Sequence, residues 1–394
     1  MTENWVQVWA QSHSAFSFFY YPSDKKTYRI VIKSAISGKK VRFELSNECA
    51  RNDVKIGEIT VALCDEKGSF LSDCKNVSVN GNKSYVLKKG EVLTSDEAEL
   101  QIGAGEYFCI SIYVEKGHLR SGNLLSDVEL ITAKGNVTKK PDVPNERRTR
   151  DTVREKASDI LRMYFHKPIP IFQSVQVLND TGAQTIAVFG DSISQQGYWV
   201  NAFRERINEK FPEQYTVVNK SIMGNRLLKN YNKRFICKGL FGTGGLNRLQ
   251  RDILDYDDVK YVLFSLGIND FIQYATLAAP KAEKPKVEEM LEGMKLVADK
   301  LHRAGKKIIV FNLFDFGDFG DATPEKSELA DEYNKLLESN KAWFDGFYDQ
   351  RSLYSDPDRP LCSKHEFLGK DLLHPNELGG KIVAENLDLT FLKE

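Results

Sequence analysis

The residues of this chain that could carry out covalent chemistry are a serine, a histidine and an aspartate in its C-terminal half. Ser192 follows the apolar run 186–189 and the turn residue Gly190. A serine hydroxyl is a poor nucleophile until a base takes its proton. His374 could be that base, because Asp371 three residues earlier can hold one ring nitrogen while the other nitrogen faces Ser192. These residue types predict acyl transfer through an activated serine.

Acyl transfer also needs hydrogen-bond donors for the oxyanion that develops during attack. The backbone amides of Ser192 and Gly224 and the side-chain amide of Asn269 are suitable donors. Loss of one such donor typically costs roughly 3–4 kcal/mol of transition-state stabilisation. We therefore expect these three groups to form an oxyanion hole.

Each candidate also has an ordinary structural interpretation. Ser192 could cap a helix, Asn269 could stabilise a turn, and Asp371 with His374 could be a surface pair. Their joint occurrence after predicted strands favours the catalytic interpretation, although Cys237 is an alternative nucleophile. The remaining histidines lack a neighbouring acid in this context and are expected to be structural or solvated: His13, His118, His166, His302 and His365.

The elements that must position these residues are predicted by apolar periodicity. Near-continuous apolar runs of strand length alternate with helical stripes, which is typical of a parallel sheet covered on both faces. We expect a three-layer, doubly wound α/β domain with five parallel strands, whose ligands bind beyond the carboxyl ends of the strands. The strands are predicted at 186–189, 215–219, 261–266, 307–313 and 344–348, and the helical stripes at 199–211, 246–253, 287–301, 329–337 and 375–387.

Four loop motifs resemble the conserved blocks of the SGNH (GDSL-type) hydrolase family. Gly-Asp-Ser-Ile at 190–193 is similar to the nucleophile block, and Asn219 with Gly224 to the second block. Gly-Ile-Asn-Asp at 267–270 is similar to the third block, and Asp-Leu-Leu-His at 371–374 to the last. The resemblance implies a flavodoxin-like fold, Ser192 as nucleophile, His374 as base, Asp371 as orienting acid and the oxyanion hole named above.

Positions beside these blocks are candidates for further roles. Asp191, Asn225 and Arg226 are candidate substrate-binding residues. Ser221 stands where many family members have glycine, which could alter the path of the second loop and the acyl pocket.

The first part of the chain reads as short strands punctuated by glycine and asparagine, which predicts an antiparallel, jelly-roll-like β-sandwich. Strands at 28–33 and 40–45 flank a turn at Ser37–Gly38, and 173–178 could return as the last strand of this domain. We place an accessory β domain with its connector at 1–180 and the catalytic domain at 181–394. The aromatic run at 16–21 could be a sugar platform, a core segment or a domain interface, and basic residues at 147–150 suggest an exposed connector.

Composition narrows the possible partners. The 55 basic and 55 acidic side chains leave no net charge, which does not favour a nucleic-acid or anionic-membrane partner. No Cys/His cluster has metal spacing, so we expect no metal and no cofactor. The six cysteines are expected to be reduced, with a Cys64–Cys74 disulfide as the alternative. The start of the chain does not resemble a signal peptide, which predicts a cytoplasmic location.

The residues predict the reaction class more sharply than the substrate. The first expectation is a small-molecule or oligosaccharide ester, above all a carbohydrate O-acetyl group, with short acyl chains preferred. The alternatives are a lysophospholipase or thioesterase, which differs only in its pocket, and a non-catalytic carbohydrate-binding protein on a hydrolase scaffold. The sequence does not predict the oligomeric state.

Overall fold

The computed structural model describes residues 3–15, 23–125, 127–144, 169–231 and 239–392. The chain divides into two compact units, residues 1–185 with 207–218, and residues 186–206 with 219–394. Antiparallel strands dominate the first part of the chain, whereas strands and helices alternate in the second.

The first part builds two larger sheets and one small one. Their strand orders are β1-β14-β4-β8 with β9 also on β4, β12-β3-β10-β5-β6 with β7 also on β5, and β13-β11-β2. The strands are β1 (Asn4–Ala10), β2 (Ser14–Ala15), β3 (Lys26–Lys33), β4 (Gly38–Ser46), β5 (Val54–Cys64), β6 (Lys75–Asn76), β7 (Tyr85–Leu87), β8 (Val92–Thr94), β9 (Ala98–Ile102), β10 (Tyr107–Lys116), β11 (Ser121–Asn123), β12 (Glu129–Lys134), β13 (Ile169–Pro170) and β14 (Phe172–Asn179).

The burial pattern differs between the strands. In β9, Ala98, Leu100 and Ile102 are buried while the residues between them are exposed, so one face of this strand lies in the core. Their side chains join a common core with Phe43 of β4 and Phe108 of β10. In β3, by contrast, residues 27–32 are all buried, so both faces of this strand are covered. The prediction of an antiparallel β-rich first part is confirmed.

The chain changes direction between β3 and β4 slightly before the predicted turn, because Gly38 is already the first residue of β4. β3 pairs with β10 and β12, whereas β4 pairs with β14, β8 and β9. The connection therefore passes from one sheet to the other. The turn residues indicate only a change of direction, while the pairing depends on strands distant in sequence.

The region after β12 is held against the outer face of a sheet. Arg29 of β3 is buried, and its guanidinium donates to the carbonyls of Lys140 and Pro141. The side chains of these two residues are exposed, in agreement with the predicted connector. β14 pairs with β1 and β4, so the segment expected to return as a strand does so. The basic residues 147–150 and the aromatic residues 16–21 lie outside the described residues.

The second part builds a parallel sheet of order β16-β15-β17-β18-β19. Crossover helices connect its strands, and the predicted α/β fold with five parallel strands is confirmed. The elements are β15 (Gln184–Gly190), α1 (Ser192–Gln195), α2 (Tyr198–Lys210), β16 (Tyr215–Asn219), α3 (Gly245–Leu249), β17 (Val259–Ser265), α4 (Ile268–Gln273), α5 (Val287–Arg303), β18 (Lys307–Phe311), α6 (Pro324–Ser339), β19 (Gly346–Tyr348), α7 (Arg351–Tyr354) and α8 (Glu377–Asn386).

The strand order creates one place where loops diverge. β15 lies between β16 and β17, so the crossover from β15 to β16 and the crossover from β16 to β17 run to opposite sides. At such a switch point the loops after neighbouring strands separate and leave a crevice. The loops that follow β15, β16 and β17 carry Ser192, Gly224 and Asn269 respectively.

Some element boundaries differ from the prediction for local reasons. The helix expected from Pro375 begins at Glu377, because the Asn376 side chain accepts the Gly379 amide at 2.9 Å and so caps the helix. The stripe at 246–253 is α-helical only to Leu249 and continues as a π-helix over Gln250–Leu254.

The described ranges lack two features that would concern a membrane or a metal ion. Within them, no helix has both the length and the apolar character that crossing a bilayer requires. The same ranges contain no group of three or more His, Cys, Asp or Glu side chains arranged to hold a metal ion. The cytoplasmic location and the absence of nucleic-acid and membrane partners stay predictions.

Candidate active site

The nucleophile loop is a tight connection between β15 and α1. Gly190 ends β15 where a Cβ would lie 2.7 Å from both the Ser194 hydroxyl and the Ser265 carbonyl oxygen, so only glycine fits there. The Asp191 side chain then caps α1 by accepting the Ile193 amide at 3.1 Å. Ser192 is thereby fixed in the first turn of α1, at the carboxyl end of the sheet.

The hydroxyl, imidazole and carboxylate predicted from the sequence form one hydrogen-bonded relay. His374 Nε2 lies 2.7 Å from Ser192 Oγ, and His374 Nδ1 lies 2.5 Å from Asp371 Oδ2. The second Asp371 oxygen accepts the amides of Leu373 and His374 at 3.2 and 3.1 Å. With the Nδ1 proton donated to Asp371, Nε2 is free to accept the serine proton. The structure brings the three residues together.

Asp371 is held as a carboxylate. Its partial burial opposes ionisation, but the hydrogen bond and charge of His374 and the amides of His374 and Leu373 outweigh this effect and lower the pKa of Asp371. A carboxylate in this position favours the imidazolium that forms when His374 takes a proton.

The two loops expected to supply oxyanion donors lie beside this relay in the same unit. Gly224 has a φ of +64°, and a Cβ there would lie 2.2 Å from the Phe241 ring. Asn269, in the first turn of α4, has a buried side-chain NH2 with no hydrogen-bond acceptor among the described residues. An unsatisfied buried donor costs about 1–3 kcal/mol, and an oxyanion bound beside Ser192 would supply the acceptor that this NH2 lacks.

The three candidate substrate-binding residues lie inside the protein. Asp191, Asn225 and Arg226 have relative exposures of only 1%, 1% and 3%. The Asn225 amide donates to the carbonyls of Phe241 and Thr243, both at 2.8 Å. These contacts fix the loop that carries Phe241, and the role of Asn225 in substrate binding stays a prediction.

The other two candidates also have internal partners. The Arg226 guanidinium donates to Glu283 and, at 2.6 Å, to the Asn230 carbonyl, so its charge is neutralised within the protein. Burial raises the pKa of Asp191 to about 7, against the opposing effects of the Ile193 amide, the His374 charge and the nearby Asn269 amide. We therefore assign both residues to support of the site.

Asp270, on α4, fixes the loop that follows β16. Its carboxylate accepts the amides of Leu227 and Leu228 at 2.6 and 3.2 Å. Burial raises the pKa of Asp270 to about 6, although these two amides and the Arg226 charge favour the ionised form. The residue that follows Asn269 in sequence thus ties the loop after β17 to the loop after β16.

Arg248 is a supporting residue that the sequence analysis missed. Its side chain is fully buried and donates to the carbonyls of Gly190 and Lys220 at 3.1 and 2.7 Å and to the Asn225 side chain at 2.9 Å. One guanidinium therefore joins the nucleophile loop to the loop after β16. The available signal was an arginine within the apolar stripe of α3, at a position adjacent to Leu249.

The charge of Arg248 is neutralised by a buried partner. Its guanidinium lies 2.9 Å from Asp252, which also binds Arg251 at 2.6 Å. Burial lowers the pKa of Arg248 to about 10, whereas Arg251 and Arg248 hold the pKa of Asp252 below its usual range against the effect of burial.

Gln273 is a second residue that was missed. It lies one helical turn after Asn269 on α4, and its Nε2 lies 2.7 Å from the Gly224 carbonyl oxygen and 3.1 Å from Asn269 Oδ1. The signal in the sequence was the spacing of four residues, which places two side chains on one face of a helix.

The residues expected to have other roles lie elsewhere. His13 is buried between Ser121 and the Phe172 carbonyl, His302 contacts Asp345, and His365 contacts Asp318. Cys64 and Cys74 are free thiols, so the alternative disulfide does not form. His118 lies in the loop after β10, and Cys237 and His166 lie outside the described residues.

Comparison with known proteins finds a family match for the part of the chain that carries this site. Residues 188–382 match the model of the GDSL-like Lipase/Acylhydrolase family. No curated protein matches the chain.

Several solved structures are similar to about half of the chain. An acetyl xylan esterase, AlAXEase, is 20% identical, with 51% of this chain and 96% of that chain covered and a TM-score of 0.38. The acetylxylan esterase Axe2 from Geobacillus stearothermophilus is 19% identical, with coverages of 52% and 92% and a TM-score of 0.40. TesA is 20% identical, with coverages of 53% and 98% and a TM-score of 0.36.

Proposed function

Because residues 188–382 form a domain of the GDSL-like lipase/acylhydrolase family, we propose that this protein is a serine ester hydrolase that removes short acyl groups, foremost O-acetyl groups of carbohydrates. The observation that carries the proposal is the relay from Ser192 Oγ to His374 Nε2 at 2.7 Å and from His374 Nδ1 to Asp371 at 2.5 Å.

In the first half-reaction, Ser192 Oγ attacks the acyl carbon of the ester while its proton moves to His374 Nε2. The imidazolium is stabilised by Asp371. The negative charge that develops on the acyl oxygen is stabilised by the amides of Ser192 and Gly224 and by Asn269 Nδ2. His374 then returns the proton to the departing alkoxide, so that an alcohol leaves and the acyl group stays on Ser192.

In the second half-reaction, water takes the place of the alcohol. His374 accepts one water proton as the water oxygen attacks the acyl carbon, and the same donors stabilise the second oxyanion. The proton on His374 returns to Ser192 Oγ when the acyl–oxygen bond breaks. A carboxylic acid is released, and the enzyme regains its starting protonation.

The preference for short acyl groups is supported by Phe241. Its ring lies directly against the α-carbon of Gly224 and is only partly buried. We assign it to the wall beside the proposed oxyanion position, where we expect its bulk to hinder long acyl chains more than an acetyl group. The choice of carbohydrate is supported by the β-rich domain that precedes the catalytic one, because such domains often bind sugars.

The test compares two serine variants on p-nitrophenyl acetate. Ser192→Ala removes the nucleophile, and we expect turnover to fall by roughly 10⁴-fold or more in a folded protein. Ser194→Ala is the matched control on the same helix, since it removes only a hydrogen bond from Trp199 and should retain near-normal turnover. Near-normal activity of Ser192→Ala would exclude the proposed mechanism.

Acyl preference is measured with esters from C2 to C12 and with acetylated oligosaccharides. We expect kcat/KM to be highest at C2 and acetate to be released from the oligosaccharides. A maximum at long chains would instead favour a lysophospholipase or thioesterase. Sugar binding without hydrolysis of any ester would favour the non-catalytic alternative.

A further inference from the structure

The oxyanion donors of the proposed function come from loops that are separate in sequence, and one side chain contacts two of them. Gln273 Nε2 donates one hydrogen to the Gly224 carbonyl oxygen at 2.7 Å and one to Asn269 Oδ1 at 3.1 Å. A primary amide nitrogen has two hydrogens. Both are therefore used on residues that carry oxyanion donors, and the Gln273 side chain is buried while doing so.

The contact with Asn269 sets which end of that amide faces the substrate. An asparagine side chain can rotate by half a turn and exchange its oxygen and nitrogen. With Gln273 Nε2 as the neighbour, only Oδ1 of Asn269 can accept, because the reverse orientation would place two NH2 groups against each other. Nδ2 is consequently directed away from Gln273, where it is buried without an acceptor among the described residues.

The contact with Gly224 restrains a residue that has little restraint of its own. Gly224 adopts a φ of +64° and has no side chain to lock its backbone. Its N–H lies in the peptide plane that precedes it and its carbonyl in the plane that follows, and its φ and ψ connect the two planes. Holding the carbonyl oxygen from α4 fixes the following plane, which limits how far the N–H can turn, and couples the loop after β16 to the loop after β17.

We propose that Gln273 is a positioning residue that aligns two donors of the oxyanion hole without touching the substrate. This inference rests on the proposed function. Since aligned donors act on the charge that develops in the transition state, loss of Gln273 should lower kcat more than it changes KM.

The first experiment replaces Gln273 by leucine, which has a similar volume but no donor. We expect kcat for p-nitrophenyl acetate to fall roughly 10- to 100-fold with KM within about threefold of wild type. Gln273→Glu is the second variant, because its carboxylate retains the shape but faces two acceptors, and it should be at least as impaired. A kcat within about twofold of wild type in both variants would overturn the proposal.

The matched control is Gln350→Leu in the same unit. Gln350 is as buried as Gln273, at 5% against 6% relative exposure, and also donates to a backbone carbonyl, that of Asn312 at 2.5 Å. We expect Gln350→Leu to lower the thermal midpoint about as much as Gln273→Leu while leaving kcat near that of wild type. Equal loss of kcat in both variants would mean that Gln273 is merely structural.

A double-mutant cycle separates alignment from general damage. Asn269→Ala removes the donor that Gln273 orients, so Gln273→Leu should then lower kcat by less than half as much on a logarithmic scale as it does in wild type. The residual loss reports the contact with Gly224. Full additivity of the two changes would contradict the proposal.

An independent readout does not need activity. In protein labelled with ¹⁵N at Asn and Gln side chains, Gln273→Leu should shift the Asn269 amide signals, whereas Gln350→Leu should leave them unchanged. An unshifted Asn269 signal would overturn the proposal. If wild type does not hydrolyse any ester, the proposed function fails, and this signal still decides whether Gln273 orients Asn269.

Discussion

A buried donor without an acceptor is the feature at residue scale that most clearly indicates ligand binding. Asn269 Nδ2 has no acceptor among the described residues, and although it lies near the Asp191 carboxylate, the geometry of a hydrogen bond is missing. Its orientation is maintained by Gln273. An evolved protein keeps such a group when a bound ligand completes its hydrogen bonding, as a developing oxyanion would.

A prediction at this scale concerns Gly224. In Gly224→Ala, the new Cβ would lie 2.2–2.5 Å from three atoms of the Phe241 ring, and the residue would keep an unfavourable φ of +64°. The backbone must shift and misalign the amide. We expect kcat/KM for p-nitrophenyl acetate to fall roughly 10²–10³-fold, as for loss of an oxyanion donor.

Two further variants make the Gly224 prediction specific. The double change Gly224→Ala with Phe241→Ala removes the clash but not the backbone strain, so activity should recover in part. Gly320→Ala is the control, since nothing lies within 4 Å of its Cβ, and it should retain activity. Full activity of Gly224→Ala would show that this amide does not take part in catalysis.

At the scale of elements, the site depends on contacts between loops that follow different strands. Arg248 on α3 holds the Gly190 and Lys220 carbonyls, and Asp270 on α4 holds the Leu227 and Leu228 amides. These buried groups fix the position of the Ser192 loop and of the loop that carries Gly224. The helices at the switch point therefore act as a frame for the catalytic loops.

The prediction at this scale compares two arginines that bind the same aspartate. Arg248→Met leaves Asp252 buried with only Arg251 and frees the two carbonyls, so we expect both stability and kcat to fall. Breaking a buried ion pair typically costs about 3–5 kcal/mol. Arg251→Met breaks the more exposed side of the same cluster and should reduce stability while retaining kcat.

Denaturant titration and kinetics with p-nitrophenyl acetate measure the two effects. Arg248→Lys is included in case Arg248→Met does not fold, because lysine keeps the charge but cannot reach all the acceptors of a guanidinium. It should fold with reduced kcat. An unchanged kcat in folded Arg248→Lys would show that the loops do not need this arginine.

The sequence predicted the strands, the helices and the residues of the catalytic relay, because each has a local signal. Ser192, Asn269 and His374 directly follow apolar runs or precede an amphipathic helix. Arg248 and Gln273 were missed because their roles depend on which loop faces them. The partners of β3 were not predicted, since a turn does not specify whether two strands join the same sheet.

At the scale of the whole molecule, two buried carboxyl groups link stability to pH. Burial raises the pKa of Asp191 to about 7 and that of Asp270 to about 6, from an ordinary value of 3.8. Between about pH 4 and pH 7, the folded state therefore binds more protons than the unfolded state. The stability that these groups contribute is fully present below about pH 4 and is lost as pH rises through 6 and 7.

The corresponding variant is Asp191→Asn, which keeps an acceptor for the Ile193 amide but cannot ionise. We expect its free energy of unfolding, relative to wild type, to increase as pH rises from 4 to 7. Asp356→Asn should show the opposite sign, because the hydrogen bond from Arg359 lowers the pKa of Asp356. Urea titrations at each pH measure both, and a pH-independent difference for Asp191→Asn would contradict the assignment.

The distance along the chain between the two reacting side chains has a consequence for biosynthesis. Ser192 and His374 are 182 residues apart, and the other proposed donors lie between them in the sequence. A ribosome therefore completes the nucleophile and the donor loops well before it adds the general base. On the proposed mechanism, a nascent chain that has not yet reached residue 374 can fold much of the parallel sheet yet remain unable to attack an ester.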